Sequence, residues 1–426
     1  MRKKILILVC FLFVSFFLTA CYDAAEIGEY AYITMFGIDL GVSDTYRVTY
    51  HIPKFNQGVS QSGGGSGGGG DKEEEKVETL TIDAPSMLSA TGIANTNLSK
   101  VLNYMHLKAI IVSEELAKSG LLAEYIGPIT RYRQVRRTTN VIICKGSAEE
   151  FIKSTKPYLG ELVTQTIEEL LRRSEIVGFF PKLTLDGLYD GIKSPYHALL
   201  GTYGAINKGE NYNKDGSVYD GEFKIPGDYY AGDVPRNGGQ EVELFGSAVL
   251  DGDKMVGKLT GFETQMLLLV RNELKSAFFT IPDPEAPEMI IPIEIKEFEL
   301  PKTTIDLSGD KPKIQTKLSL EGNITEIQSR IQYEEPKKKK ILEDAFEKFI
   351  VEGIERTFGK CKDFKSDVFN FGTTAVLQFW TIPEWEEYNW LKRFPNSELK
   401  VEVDFTLRRT GKLLKSEPIY STEGKE

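Results

Sequence analysis

The first 21 residues constrain this chain more than any other segment, because they decide where it folds. A basic cluster at residues 2–4 precedes an apolar run from Ile5 to Leu18, and the small pair Thr19-Ala20 follows. A basic start, an apolar stretch of this kind and small residues before a cut are the parts of a secretory signal. We therefore predict that residues 1–20 are a signal peptide and that the remaining chain lies outside the membrane.

The residue after the small pair is a cysteine, and Leu18-Thr19-Ala20-Cys21 resembles the lipobox of bacterial lipoproteins. The resemblance implies that the sulfur of Cys21 carries a diacylglycerol and that Cys21 is the first residue of the mature protein. An uncleaved membrane anchor is the alternative, since the apolar run is only slightly shorter than the ~20 residues that a span needs. Two lipid chains bind a membrane stably, so we expect a function at a membrane surface.

Composition predicts a folded protein of two or three domains. Of the 426 residues, 41% are hydrophobic and 27% are charged, and a chain of this length is too long for one core. The formal net charge is −10, and it becomes −13 when the three basic residues of the signal are removed. This balance argues against nucleic acid as a partner and against electrostatic adhesion to anionic lipid, so we expect the tether to be covalent.

Two cysteines, Cys144 and Cys361, remain after removal of the signal and lipidation of Cys21. Outside the membrane they could form one disulfide. Cys144, however, ends the apolar, strand-like run Val141-Ile142-Ile143-Cys144. We therefore favour two separate buried thiols over a disulfide.

Hydrophobic periodicity predicts an α+β protein. In the first 200 residues, strand-like runs alternate with helices that begin at the caps Ser113 and Ser147, which is typical of an α/β layer. A glycine-rich, acidic stretch at 58–76 predicts a flexible loop at a hairpin tip. Residues 201–240 are polar and rich in turn formers, which indicates a domain boundary or a surface insertion. In the second half we predict a hairpin at residues 243–259, helices at 260–274 and 337–358, and strands at 314–320 and 399–407.

Seven separated blocks of the sequence form a recognisable series. They are Cys21-Tyr22-Asp23, Phe36-Gly37-Ile38-Asp39, Lys108–Ala117, Arg131–Arg137, Phe245–Val249, Gly257–Thr260 and Asp367–Gly372. In this order they resemble the spore germination receptor C-subunit lipoproteins, the Ger(x)C or GerAC-like family, from Tyr22 to about Gly411. The chain departs mildly from that pattern at Tyr22, where tryptophan is expected, and at Ala24-Ala25, where longer polar residues are expected.

The resemblance implies three mixed α/β domains, each with a β-sheet packed by helices, and no enzymatic activity. It implies a lipid-anchored subunit of a nutrient germinant receptor on the outer face of the spore inner membrane, with two polytopic membrane subunits, A and B, as partners. Cys21 is the one functional residue that carries over. We expect an N-terminal region at 22–200, the polar segment at 201–240, a middle region at 241–300 and a C-terminal domain at 301–420.

Three patterns could carry further functions. The segment from Asn211 to Glu222 has the spacing of a calcium loop, but it lacks flanking helices and begins with Asn, so we favour a plain polar loop. The arginines at 131, 133, 136 and 137 could bind an anion, although we favour charges that complement a helix C-terminus. The tryptophans at 380, 385 and 390 predict core packing, with a protein-docking surface as the alternative.

No catalytic or cofactor site is visible in the sequence. The histidines, at positions 51, 106 and 197, have no metal-ligand spacing, and neither a nucleophile elbow nor a phosphate-binding loop is present. We therefore predict no enzyme and no cofactor. An extracytoplasmic solute-binding lipoprotein that captures a nutrient itself is the alternative function, and a surface hydrolase that uses two carboxylates is a third.

Overall fold

The computed structural model describes residues 2–5, 26–54, 77–156, 163–213 and 223–409. The predicted lipidation site Cys21, the glycine-rich stretch at 58–76 and most of the candidate calcium loop lie outside these residues. No helix within the described ranges is long and apolar enough to cross a membrane.

Strands between Met35 and Leu259 build a mixed sheet of eight strands in the order β10-β9-β8-β7-β6-β2-β3-β4. Neighbours from β8 to β2 are parallel, and the pairs at both ends are antiparallel. A separate parallel pair joins β1 to β5. The strands are β1 (Tyr30–Tyr32), β2 (Met35–Leu40), β3 (Tyr46–Pro53), β4 (Val77–Ala84), β5 (Val101–Asn103), β6 (Ala109–Ser113), β7 (Asn140–Cys144), β8 (Leu199–Ile206), β9 (Val242–Asp251) and β10 (Lys254–Leu259).

Helices cover both faces of this sheet, which explains why its central parallel strands are continuous apolar runs. All five residues of β6 are buried. The first three helices and the seventh pack on one face, and the fourth and fifth pack on the other. The helices are α1 (Met87–Asn97), α2 (Glu114–Ser119), α3 (Leu122–Thr130), α4 (Ala148–Ser154), α5 (Val163–Arg172), α6 (Ser174–Val177) and α7 (Leu185–Ile192).

The second half builds a five-stranded sheet. Its central strand β14 pairs antiparallel with β12 and β13 on one side and, along its whole length, parallel with β15 on the other. Strand β11 extends the sheet beyond β12. These strands are β11 (Ala277–Pro282), β12 (Ile290–Phe298), β13 (Lys302–Asp306), β14 (Lys313–Ile324) and β15 (Glu398–Arg409).

Two helices form the core between the sheets. All ten residues of α8 (Gly261–Val270) are buried, and the 28-residue α9 (Pro336–Asp363) crosses it. The crossing is close at Gly353, where a Cβ atom would lie 2.7 Å from the sulfur of Met266. Three short helices, α10 (Phe371–Ala375), α11 (Ile382–Tyr388) and α12 (Trp390–Arg393), complete this half.

The predicted α+β class, with several sheets packed by helices, is confirmed. The predicted helix starts at Ser113 and Ser147 are also confirmed, since the side chains of these residues accept hydrogen bonds from the first turns of α2 and α4. Thr260 caps α8 in the same way. The thiols of Cys144 and Cys361 are free and buried, as predicted.

The structure differs from the prediction at residue 201. The expected polar boundary begins inside β8, a central strand in which seven of eight residues are buried. The glycines favour a loop in the sequence, but in the structure they are needed because neighbouring side chains pack too closely for a Cβ atom. A Cβ at Gly204 would lie 3.0 Å from the ring of Phe151, and one at Gly201 would lie 3.1 Å from Ile143.

Candidate functional site

A cluster of buried polar contacts lies where the C-terminal half meets the strand β8. We call it the junction and define it as the loop Pro195–Ala198, the segment Asp367–Gly372, Trp385 and Trp390. The backbone N–H of Ala198 donates to the carbonyl of Asp367 over 3.0 Å. The indole N–H of Trp385 donates to the carbonyl of Pro195 over 3.3 Å.

The side chain of Asp367 organises the C-terminal side of the junction. It is fully buried, and its carboxylate accepts hydrogen bonds from Phe371 N (3.2 Å), Gly372 N (2.7 Å) and Trp390 Nε1 (2.8 Å). Burial raises the pKa of Asp367 to about 6, although these three donors oppose the shift. The local turn needs Asn370 in the left-handed region, with φ of 64°.

Glycine is required where the two halves approach most closely. A Cβ at Gly372 would lie 1.8 Å from the carbonyl oxygen of Tyr196 and 2.7 Å from Nε1 of Trp390. The ring of Tyr196 also lies 6.0 Å from that of Trp385. The block Asp367–Gly372 therefore joins two parts of the chain and does not line an open pocket.

The block Phe36–Asp39 has a comparable joining role inside the first sheet. Oδ1 of Asp39 accepts from Ala148 N (2.8 Å), and Oδ2 accepts from Glu149 N (3.2 Å), so this carboxylate caps α4 from a neighbouring strand. Burial raises the pKa of Asp39, while these backbone donors oppose the rise. Gly37 lets α4 approach, since a Cβ there would lie 2.8 Å from Cδ1 of Ile152.

The blocks Phe245–Val249 and Gly257–Thr260 anchor α8. Thr260 and Glu263 form a reciprocal capping box at the start of this helix. Nζ of Lys360 on α9 donates to Glu263 over 2.6 Å and to the hydroxyl of Tyr230 over 2.9 Å. Burial alone would lower the pKa of Lys360, but these two partners outweigh burial and raise it.

The tryptophans divide between core and surface. Trp385 and Trp390 are buried in the junction, whereas Trp380 is 95% exposed. Leu377 and Ile382, which flank Trp380, are 81% and 64% exposed. The core-packing prediction is therefore correct for two tryptophans, and the third belongs to an exposed apolar surface.

The structure assembles no catalytic cluster from the residues it describes. Within these ranges no group of three histidine, cysteine or carboxylate side chains could hold a metal ion. His51 is buried beside Thr34, with Nδ1 2.7 Å from Oγ1, and burial lowers its pKa to about 4. His106 stacks on Tyr32 with ring centroids 4.3 Å apart.

Burial also raises the pKa of the free thiols of Cys144 and Cys361, which makes them unreactive.

Of the remaining sequence-predicted sites, the arginine cluster lies within the described chain. Arg131 caps the C-terminus of α3, and the other three follow in the loop, so the helix-dipole interpretation fits Arg131 alone. In the calcium loop, Asn211 Nδ2 donates to the carbonyl of Asp233 over 3.1 Å, and residues 214–222 lie outside the described ranges.

Sequence reasoning missed the N-terminal side of the junction, Pro195–Ala198. It identified the block Asp367–Gly372 but not the role of its first residue. An acidic residue followed four and five positions later by Phe-Gly is a signal that could have indicated a carboxylate folding back onto backbone N–H groups.

Comparison with known proteins gives two family matches. A model described as spore germination protein N-terminal domain matches residues 23–203, and one described as spore germination B3/GerAC like, C-terminal, matches residues 245–411. The first match ends within β8 and the second begins within β9, and these strands pair in the same sheet. The eight-stranded sheet therefore includes strands from both matches.

Curated relatives align over nearly the whole chain. The putative spore germination protein YfkR of Bacillus subtilis (strain 168) is 22% identical over 419 residues, covering 98% of this chain and 99% of the relative. Spore germination protein KC of the same organism is 23% identical over 435 aligned positions, covering 98% of each.

A solved structure supports the fold. The crystal structure of the GerBC protein matches with a TM-score of 0.51 and 16% identity, covering 87% of this chain and 96% of that one. At this identity the match speaks for the fold alone. Together with the two family matches, which lie in chain order on either side of the β8–β9 connection, these findings show that the chain belongs to the GerAC-like family of spore germination proteins.

Proposed function

We propose that this chain is a lipid-anchored subunit of a nutrient germinant receptor and is required for nutrient-triggered spore germination. Cys21 holds it on the outer face of the spore inner membrane, and its partners are two polytopic membrane subunits, A and B. It acts without catalysis, as a scaffold or coupling subunit. Its family supplies the link to germination.

The observation that carries the coupling role is the location of the family-like blocks. Phe36–Asp39, Phe245–Val249, Gly257–Thr260 and Asp367–Gly372 all join helices to sheets or one half of the chain to the other. The buried carboxylates of Asp39 and Asp367 each accept hydrogen bonds from two backbone N–H groups, which suits rigid connection better than proton transfer. A body joined in this way can pass a displacement from one half to the other, because packed interiors transmit strain.

The proposal is tested by dipicolinate release from spores that rely on this receptor alone. Cys21→Ala removes the lipid acceptor, and we expect the nutrient response to fall while the response to a non-nutrient trigger is kept. Cys10→Ala is the matched control, because it removes a cysteine from the apolar run but keeps Cys21. A normal nutrient response from a Cys21→Ala chain shown to be unlipidated and released would contradict the anchored-receptor proposal.

A second candidate function is direct capture of a nutrient. A cavity of about 350 Å³ lies between α5 and residues 236–244 and is lined by apolar Leu170, Val242 and Leu244 beside Arg173. This volume lies in the range of small-molecule sites. The two sheets, however, have eight and five strands and different connections, unlike the two similar lobes expected of a solute-binding protein.

Cavity filling separates the two functions. Leu170→Trp reduces the volume of the cavity, whereas Leu88→Trp adds the same side chain at an exposed position on α1. If the chain captures the nutrient here, calorimetric titration of the purified protein with the nutrient shows saturable heat that Leu170→Trp abolishes. A scaffold gives no saturable heat with either protein.

A further inference from the structure

The predicted lipid anchor connects to one particular edge of the fold. Glu26, the first described residue after Cys21, is five residues from it, a distance of at most about 17 Å for extended chain. The chain then enters β1, where Tyr30 pairs with Val101 of β5. This edge is therefore held close to the membrane if Cys21 carries lipid.

Apolar and aromatic groups are exposed at this edge. Val101 is 50% exposed and Met105, just beyond β5, is 53% exposed. Tyr30 and Tyr32 are half-buried, and Tyr32 stacks on His106. Such rings are well suited to the level of lipid head groups, where aromatic side chains concentrate.

The arginine-rich loop borders the same edge. Gln134 Oε1 accepts a hydrogen bond from Tyr104 N over 3.1 Å, and the rings of Tyr104 and Tyr132 lie 5.3 Å apart. These contacts place the loop at residues 131–137 beside Met105. The edge and the loop form one contiguous face.

Most arginines of this loop have no ion-pair partner among the residues that the structure describes. The exposed side chains of Arg131, Arg133 and Arg136 make no ion pair with any residue that the structure describes, whereas Arg137 pairs with Asp186 over 3.0 Å. Two further basic residues, Lys100 and Lys193, lie at its borders, and Lys193 sits 3.5 Å above the ring of Tyr189. Lys193, and more weakly Arg131 and Arg137, lower the pKa of Tyr189, so these charges share one positive field.

We propose that this face, made of β1, β5, Met105 and the loop at residues 131–137, lies on the anionic phospholipid head groups of the membrane that holds the lipid anchor. The inference rests on the anchor of the proposed function. Net charge does not oppose it, because a formal charge of −10 describes the whole chain, and only charges within about 10 Å of the surface contribute to adhesion. Contact would fix the orientation of the tethered body.

The test uses the full-length lipidated protein in vesicles of phosphatidylcholine, with or without about one third phosphatidylglycerol. Met105→Cys carries an environment-sensitive fluorophore, which reacts selectively because Cys144 and Cys361 are buried. Leu377→Cys is the matched label position, exposed and outside this face. Quenching by head-group spin labels reports proximity to lipid.

We expect the label at position 105 to be quenched and blue-shifted in the anionic vesicles, and the label at position 377 to be unchanged. Arg133→Gln and Arg136→Gln should each lower the ratio of protein that lies on the membrane surface to tethered protein that does not, by roughly fivefold. Arg172→Gln, an equal change of charge at an exposed site on α5, should have no effect.

Two results would overturn the inference. One is equal fluorescence at position 105 with and without phosphatidylglycerol, and the other is quenching that the arginine variants leave unchanged. Failure of the anchor is measured separately, by sedimentation of the chain with the vesicles. A chain that sediments with the vesicles but shows no quenching at position 105 would support the proposed anchor and contradict the proposed membrane-facing surface.

Discussion

The indole N–H of Trp390 donates to Oδ2 of Asp367 over 2.8 Å, and both side chains are buried. Asp367 thus holds α12 against the start of α10, while its carbonyl binds Ala198 ahead of β8. One residue therefore links the short C-terminal helices to the eight-stranded sheet. Because burial raises the pKa of this carboxylate, we expect the link to depend on pH.

We predict that Asp367 gives the chain a pH-dependent stability in the acidic range. Its pKa is raised from 3.8 to about 6 in the folded state, so the folded chain binds the proton more tightly than the unfolded chain. The stabilisation is complete below pH ~4 and is lost as pH rises through ~6, a change of roughly 3 kcal/mol. Urea midpoints between pH 4 and 7 measure it.

The control is Asp367→Asn, which is neutral throughout this range. Its midpoint should lack the part of the pH dependence that belongs to Asp367, whatever its absolute stability. Identical pH profiles for the two proteins would rule out Asp367 as the titrating group.

The tryptophans should differ in their effect on stability. Trp385→Ala removes a buried ring and its hydrogen bond to Pro195, and we expect a loss of roughly 3 to 5 kcal/mol. Trp380→Ala removes a ring that is 95% exposed, so its effect should stay within about 0.5 kcal/mol. Denaturant titration compares the two, and equal losses would mean that Trp380 is not on the surface.

Asp39→Ala should loosen α4 specifically. The substitution leaves Ala148 N without its acceptor and removes a second acceptor from Glu149 N, which we expect to cost about 2 kcal/mol. Native-state hydrogen exchange should become faster for the first amides of α4. Thr184→Ala, which removes the cap of α7, should instead speed exchange in α7, and the reverse pattern would contradict the assignment.

The pair Lys360 and Glu263 should be strongly coupled. Lys360→Met leaves the buried carboxylate of Glu263 without its cation, and we expect a loss of about 3 kcal/mol. Adding Glu263→Gln removes the uncompensated charge and should restore part of that loss. A double-mutant cycle measures the coupling, and strictly additive effects would show that the two side chains act independently.

Interactions between residues close in sequence determine much of the secondary structure. The caps Ser113, Ser147 and Thr260 and the turn Asp251-Gly252 act through neighbours in sequence, so their positions were predictable. The apolar face of α3 was predictable for the same reason, because helical periodicity alone defines it. These local features can be predicted without knowing which distant residues pack against them.

Sequence patterns alone predict the α+β class and the family blocks, and they favour two buried thiols over a disulfide. The packed fold was needed to show that Gly201 and Gly204 belong to a buried central strand, because the close approach of Ile143 and Phe151 leaves little room for a Cβ atom there. It alone decided which tryptophan is exposed and that Asp367 binds both Ala198 and Trp390. Most of these contacts join residues far apart in sequence, and burial and hydrogen bonding between such residues arise only when the sheets and helices pack together.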